Sequence, residues 1–126
     1  MKVPDFLQDG KIRPELLDKD AQTIAGEFKR EKLTTHQVRR FFDEVKQYQR
    51  VIDAKKKSYE DLKPLILMLK SKAKYAATKK EGMNIFYEFI KQSIDQIKSG
   101  KNEVEKFEAF CLFFEAVYGF ADLRDN

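Results

Sequence analysis

From Thr34 to Ile52 the sequence allows little but a helix. Thr34-Thr35-His36-Gln37 has the pattern of a capping box, in which the threonine hydroxyl accepts the Gln37 amide and the Gln37 side chain reaches back to the Thr34 amide. Leu33 and Val38 are placed as the accompanying hydrophobic staple. From Val38, the residues Phe41, Phe42, Val45, Tyr48 and Ile52 follow at spacings of 3, 1, 3, 3 and 4 and hold one face. This predicts a helix from Thr35 to about Lys57.

The same period recurs on both sides. Leu16, Leu17, Ala21, Ile24, Ala25 and Phe28 predict a first helix that opens at Pro14 and runs to about Arg30. Leu62, Leu65, Ile66, Leu69, Ala73 and Ala76 mark a third, opened or kinked by Pro64 and ending near Lys80 to Gly82. Phe86, Phe89, Ile90, Ile94 and Ile97 mark a fourth, stopped by Ser99-Gly100. Asn102 with Glu105 suggests an N-cap for a fifth, which carries Phe107, Phe110, Cys111, Phe114, Val117 and Tyr118 on one face and Leu112, Phe113 and Phe120 outside it. That surplus fits either packing against another chain or central burial in the bundle.

Residues 1–13, with Pro4, Asp9-Gly10 and Arg13-Pro14, read as an irregular arm, loose or clipped onto a neighbour. The division expected is an arm over 1–13 and a helical bundle domain over 14–126. With 5 Gly and 3 Pro in 126 residues, a sandwich of many short strands lacks its turns, while 16 aromatic residues supply a core. The fold class is all-α, a single compact domain of about five helices.

Several functions are excluded or disfavoured. No apolar run approaches the roughly 20 residues that span a bilayer, and the N-terminal Met1-Lys2-Val3-Pro4-Asp5 does not read as a signal peptide, so a cytoplasmic protein without membrane contact is expected. One Cys and one His cannot supply a zinc tetrad or an internal disulfide. Cys111 sits in Phe110-Cys111-Leu112-Phe113-Phe114, an apolar run that makes it a small hydrophobe. Ser99-Gly100-Lys101-Asn102 lacks the earlier glycine and the preceding strand of a phosphate loop. Acidic pairs such as Asp43-Glu44 and Glu60-Asp61 sit among lysines and read as solvated charges. No catalytic residue, metal or cofactor is expected.

Charge is the informative feature. Residues 31–80 carry 14 basic and 6 acidic side chains, whereas 81–126 carry 5 and 9. At 100° per residue Arg39, Lys46, Arg50 and Lys57 fall within about 40° of one another, roughly 130° from the core face. Asp43 and Asp53 can pair with Arg39 and Lys57 at i, i+4, so a salt-laced solvent face accounts for this stripe equally well. Met68, Lys72, Tyr75 and Lys79 form a ridge on the third helix that no acid interrupts, and Lys63, Lys70 and Lys74 form a further row. Lysines interleaved with an aromatic suit a single strand, cations on phosphate and Tyr75 on a base. Tyr75 reads equally as a boundary residue of the core.

Leu33-Thr34-Thr35-His36-Gln37-Val38-Arg39-Arg40-Phe41-Phe42, then Leu69-Lys70-Ser71-Lys72-Ala73-Lys74-Tyr75-Ala76-Ala77, then Phe107-Glu108-Ala109-Phe110 and Phe114-Glu115-Ala116-Val117, resemble the small helical subunit of the type III-A CRISPR effector, the Csm complex. The similarity covers about residues 28–121. It implies a non-enzymatic subunit lining the inner filament of a ribonucleoprotein, in contact with crRNA, target RNA and other Csm subunits. It also implies self-association, with a homodimer as one form of the isolated chain. Residue by residue it carries RNA contact onto Arg39, Lys70, Lys72 and Lys79, where lysine at 79 keeps the charge but lacks an arginine fork. With the charge pattern, the candidate RNA-binding set is Arg39, Lys46, Arg50, Lys70, Lys72, Tyr75 and Lys79. Two other classes stay open: a helical adaptor that binds only protein, and a small DNA-binding regulator reading a groove with the Thr34–Ile52 helix.

Overall fold

The structure is a computed structural model that describes residues 1–124. Five helices carry the fold: α1 (Lys19–Arg30), α2 (Thr35–Asp53), α3 (Tyr59–Lys79), α4 (Met83–Lys98) and α5 (Glu103–Ala121). The all-α expectation holds, with one two-stranded hairpin, β1 (Leu7–Gln8) and β2 (Lys11–Ile12), in the arm.

The capping box at the start of α2 forms with both of its bonds, Gln37 N to Thr34 Oγ1 at 3.3 Å and Thr34 N to Gln37 Oε1 at 2.8 Å. Leu33 and Val38 beside it are buried. The α2 stripe ends sooner than its period suggests. Asp53 is the last helical residue, and Lys55 turns left-handed at φ 57° while Lys56 N bonds Val51 O at 3.1 Å. That is a Schellman ending with lysine in the slot glycine usually takes. Lys57 therefore lies off the helix, and no ion pair joins it to Asp53 among the described residues.

Three further boundaries differ from expectation. The first helix is split: Pro14–Leu17 form a 3₁₀ turn with proline in its first turn, and Asp18 at φ −125°, ψ −95° breaks the chain before α1 begins. α3 starts earlier, because Ser58-Tyr59-Glu60-Asp61 is a second capping box, with Asp61 N to Ser58 Oγ at 3.2 Å and Ser58 N to Asp61 Oδ2 at 3.0 Å. Pro64 thus lies inside α3 rather than opening it. Asn102 does not cap α5: its backbone is left-handed at φ 63°, and its side chain makes no capping bond. Instead Lys106, on the second turn of α5, donates to Ser99 O at the end of α4.

The core is built around α5. Phe107, Ala109, Phe110, Cys111, Phe113, Phe114 and Val117 are all buried, since α5 lies against α1, α2, α4 and the arm. Its surplus of apolar residues is explained by central burial; Val104 and Phe120 remain exposed near its two ends. Rings interlock edge to face, Phe28 on Phe89 at 5.4 Å and 87°, Phe89 on Phe114 at 5.4 Å and 66°.

The arm is irregular but it is not loose; it lies on α4 of its own chain. Gln92 and Gln96, one turn apart, act as a pair of substitute peptide groups. Val3 N donates to Gln92 Oε1 at 2.8 Å and Phe6 N to Gln96 Oε1 at 2.7 Å, while Gln96 Nε2 donates to Pro4 O at 3.0 Å. Asp9 and Gly10, at φ 53° and 79°, supply the left-handed pair of a tight hairpin. Phe6 is then fully buried, 5.8 Å from the Phe113 ring.

Candidate nucleic-acid interface

The seven candidate residues do not form one ridge. Arg39 pairs with Asp43 at 3.6 Å along the surface of α2. Lys46 pairs with Glu115 of α5, and Lys70 with Asp95 of α4, which also takes Lys91 at 3.2 Å. Lys72 donates to Glu44 at 2.9 Å, and the same Glu44 oxygen accepts the Tyr48 hydroxyl. The Lys72 position thus has a carboxylate opposite it after all, contributed by α2 rather than by α3. Arg50 donates to Gln47 at 3.1 Å and has no ion-pair partner among the described residues. Lys63, in the further lysine row, is paired with Glu103 at 2.9 Å.

These pairings show in proton affinities. Burial would raise the Asp95 pKa, but hydrogen bonds from Lys70 and Lys91 outweigh it and hold the carboxyl below its usual range. Burial, reinforced by the bond to Glu44, pushes the Tyr48 hydroxyl up. Burial also raises the Cys111 thiol to about 12, which keeps it protonated at neutral pH.

Three of the seven converge elsewhere. A cleft of about 250 Å³ opens between the first turns of α2 and the last turns of α3. Lys72, Tyr75 and Lys79 stand on the α3 wall, His36 and Arg40 on the α2 wall, with Lys80 at the corner. Phe41, Ala76 and Met83 form an apolar floor. No carboxylate lines this cleft, and among the described residues Arg40, Lys79 and Lys80 have no ion-pair partner. Tyr75 is 64% exposed and Lys79 Nζ lies 5.2 Å from its ring centre. Tyr75 is thus no core boundary residue but an open aromatic face with a cation beside it.

The local sequence explains this geometry. The capping box fixes where α2 begins, so His36 and Arg40, one turn apart, share a face. α3 ends at Lys79, where Lys80 turns extended, and Gly82 opens α4 three residues on. The φ of Gly82 is 87°, and a Cβ there would stand 3.0 Å from Glu31 O, so the α3–α4 corner packs tightly on the loop before α2. His36, Arg40 and Lys80 were not among the sequence candidates for RNA contact. A signal for Arg40 existed: it lies four residues beyond His36, one turn on and in the same register.

A model of the Csm2 Type III-A family matches residues 11–121. This chain belongs to the Csm2 family. The match extends the resemblance drawn from residues 28–121 back through α1 and the 3₁₀ turn. As a Csm2 chain it is a structural subunit of a type III-A CRISPR complex, associated with other Csm subunits. No curated protein and no solved structure matches it. No helix among the described residues is long and apolar enough to cross a membrane.

Proposed function

We propose that this Csm2 chain is a non-catalytic subunit that lies along the crRNA–target RNA duplex in the cytoplasm and holds its sugar-phosphate backbone. The observation that carries this reading is the α2/α3 cleft, where Arg40, Lys79 and Lys80 face solvent with no carboxylate partner among the described residues, beside exposed Tyr75. Unpaired cations release condensed counterions on meeting phosphate; paired ones must first give up a protein partner. Of the sequence candidates, Tyr75 and Lys79 are the strongest contacts, Lys72 is a contact shared with Glu44, and Arg39, Lys46, Arg50 and Lys70 lie outside the cleft. Backbone contact of this kind is indifferent to base sequence, which base pairing already reads. Self-association of the chain belongs to the same reading.

The test is RNA retention by the assembled complex over a salt gradient. Arg40→Glu, Lys79→Glu and Lys80→Glu together are expected to lower retention by more than about tenfold near 0.15 M salt and to flatten its salt dependence. Unchanged retention, with the variant folded and incorporated, refutes the reading.

One observation favours a second reading, an adaptor that binds only protein. On α3, Leu65 and Met68 are 48% and 50% exposed, so Leu65 is not the core residue its period suggests. With Tyr75 they line the outer side of the helix. Incorporation into the complex lost on Leu65→Asp with Met68→Asp, while the cationic variant retains RNA, would favour the adaptor.

A further inference from the structure

A second cleft, of about 480 Å³, lies on the other side of the α2 start, between the end of α1 and the tail after α5. Its walls carry Lys29, Lys32, Thr34, Asp122 and Arg124, with Leu33 and Ala121 beneath. The three cations come from three segments. Lys29 is on the last turn of α1 and Lys32 follows its end. Arg124 is held across the entry to α2, where Thr35 N bonds Arg124 O at 3.0 Å and Thr35 Oγ1 donates to Leu123 O at 2.7 Å.

Two features set this cleft apart from an ordinary lysine-rich surface. On the flanks of the bundle, Lys46, Lys63, Lys70, Lys72 and Lys91 each lie against a carboxylate. Here Lys29, Lys32 and Arg124 have none among the described residues, and the one carboxylate on the wall, Asp122, pairs with no cation. Lys32 also occupies a left-handed position, φ 58°, closing α1 through Leu33 N to Phe28 O at 3.2 Å. A glycine would fill that position more stably. A lysine there adds charge to the cleft at a cost in fold stability. Thr34 Oγ1, which accepts from Gln37 N, still has its own proton to donate.

We propose that this cleft is a phosphate-binding site, distinct from the α2/α3 cleft, with Arg124 as the forked donor and Lys29 and Lys32 as point charges. The phosphate could belong to a polyribonucleotide backbone or to a free phosphate or mononucleotide, and both sources present the same tetrahedral anion. Neither source requires the α2/α3 cleft to hold RNA, so failure of one site leaves the other standing.

The test is amide chemical-shift titration of the full chain at constant ionic strength. The probes are inorganic phosphate, adenosine 5′-monophosphate and a short single-stranded oligoribonucleotide. Saturable shifts at residues 29–34 and 122–124 are expected. Lys32→Gly with Arg124→Ala should weaken binding at least tenfold, and Lys32→Gly alone should raise the melting temperature, which separates loss of charge from loss of fold. Saturation by phosphate or the mononucleotide supports the site with a free ligand; saturation by the oligoribonucleotide alone supports it with a strand. No shift there with any probe, or equal affinity in the double variant, overturns the proposal.

Discussion

Along the flanks of α2 and α3, Arg39, Lys46, Lys70 and Lys72 each lie against a carboxylate, whereas around the start of α2 the cations Arg40, Lys79, Lys80, Lys29, Lys32 and Arg124 have none among the described residues. Both regions are rich in basic residues. Only the second projects its charge outward, because a lysine already bonded to a carboxylate presents a nearly neutral pair to an approaching anion. A run of lysines therefore reports where charge is encoded; the neighbouring helix decides whether that charge is spent inside the protein.

The largest effect expected is the contrast between these regions. Lys46→Glu with Lys70→Glu should change RNA retention by no more than about threefold, against more than about tenfold for the cleft variant, in the same salt series. Equal losses would erase the distinction. Next comes the corner that brings Lys80 to the α2 start. Gly82→Ala should destabilise the fold by about 1–2 kcal/mol, because alanine resists a positive φ and its Cβ meets Glu31 O. A melting temperature equal to wild type would show that the corner yields.

The smallest effect lies in the paired region. Asp95→Asn should cost less than about 1 kcal/mol at neutral pH, the range for exposed pairs. The native Asp95 pKa is depressed, so its contribution is complete above the unfolded carboxylate value and disappears as pH falls through the native one. The gap between wild type and Asp95→Asn in urea midpoints should therefore close in acid. A gap that widens in acid would mean that Asp95 is not held ionised by Lys70 and Lys91.

Helix number and core were legible because the signals are local: the Thr34 capping box, the α2 stripe and the Phe-rich period of α5 all depend on neighbours within a turn or two. Helix ends were less so. Lys32 and Lys55 perform the left-handed closure that glycine advertises, and Asp61 caps α3 from a pair that reads as solvated charge. The candidate site was least legible. Asp43 could be foreseen opposite Arg39, since both lie on one helix. Glu44, Asp95 and Glu115 reach Lys72, Lys70 and Lys46 across helix boundaries, at sequence separations of 28, 25 and 69, and spacing along a single helix says nothing about such partners. The same holds for Gln92 and Gln96, whose role in holding the arm depends on a segment about ninety residues away.

The burial of Phe6 changes what shortening this chain would mean. A form trimmed ahead of the 3₁₀ turn loses more than a tail: it leaves a benzyl-sized hole beside Phe110 and Phe113 and returns two glutamine side chains of α4 to water. What looks on paper like a dispensable leader is a plug seated from outside, and cutting it away is equivalent to a mutation at the centre of the bundle.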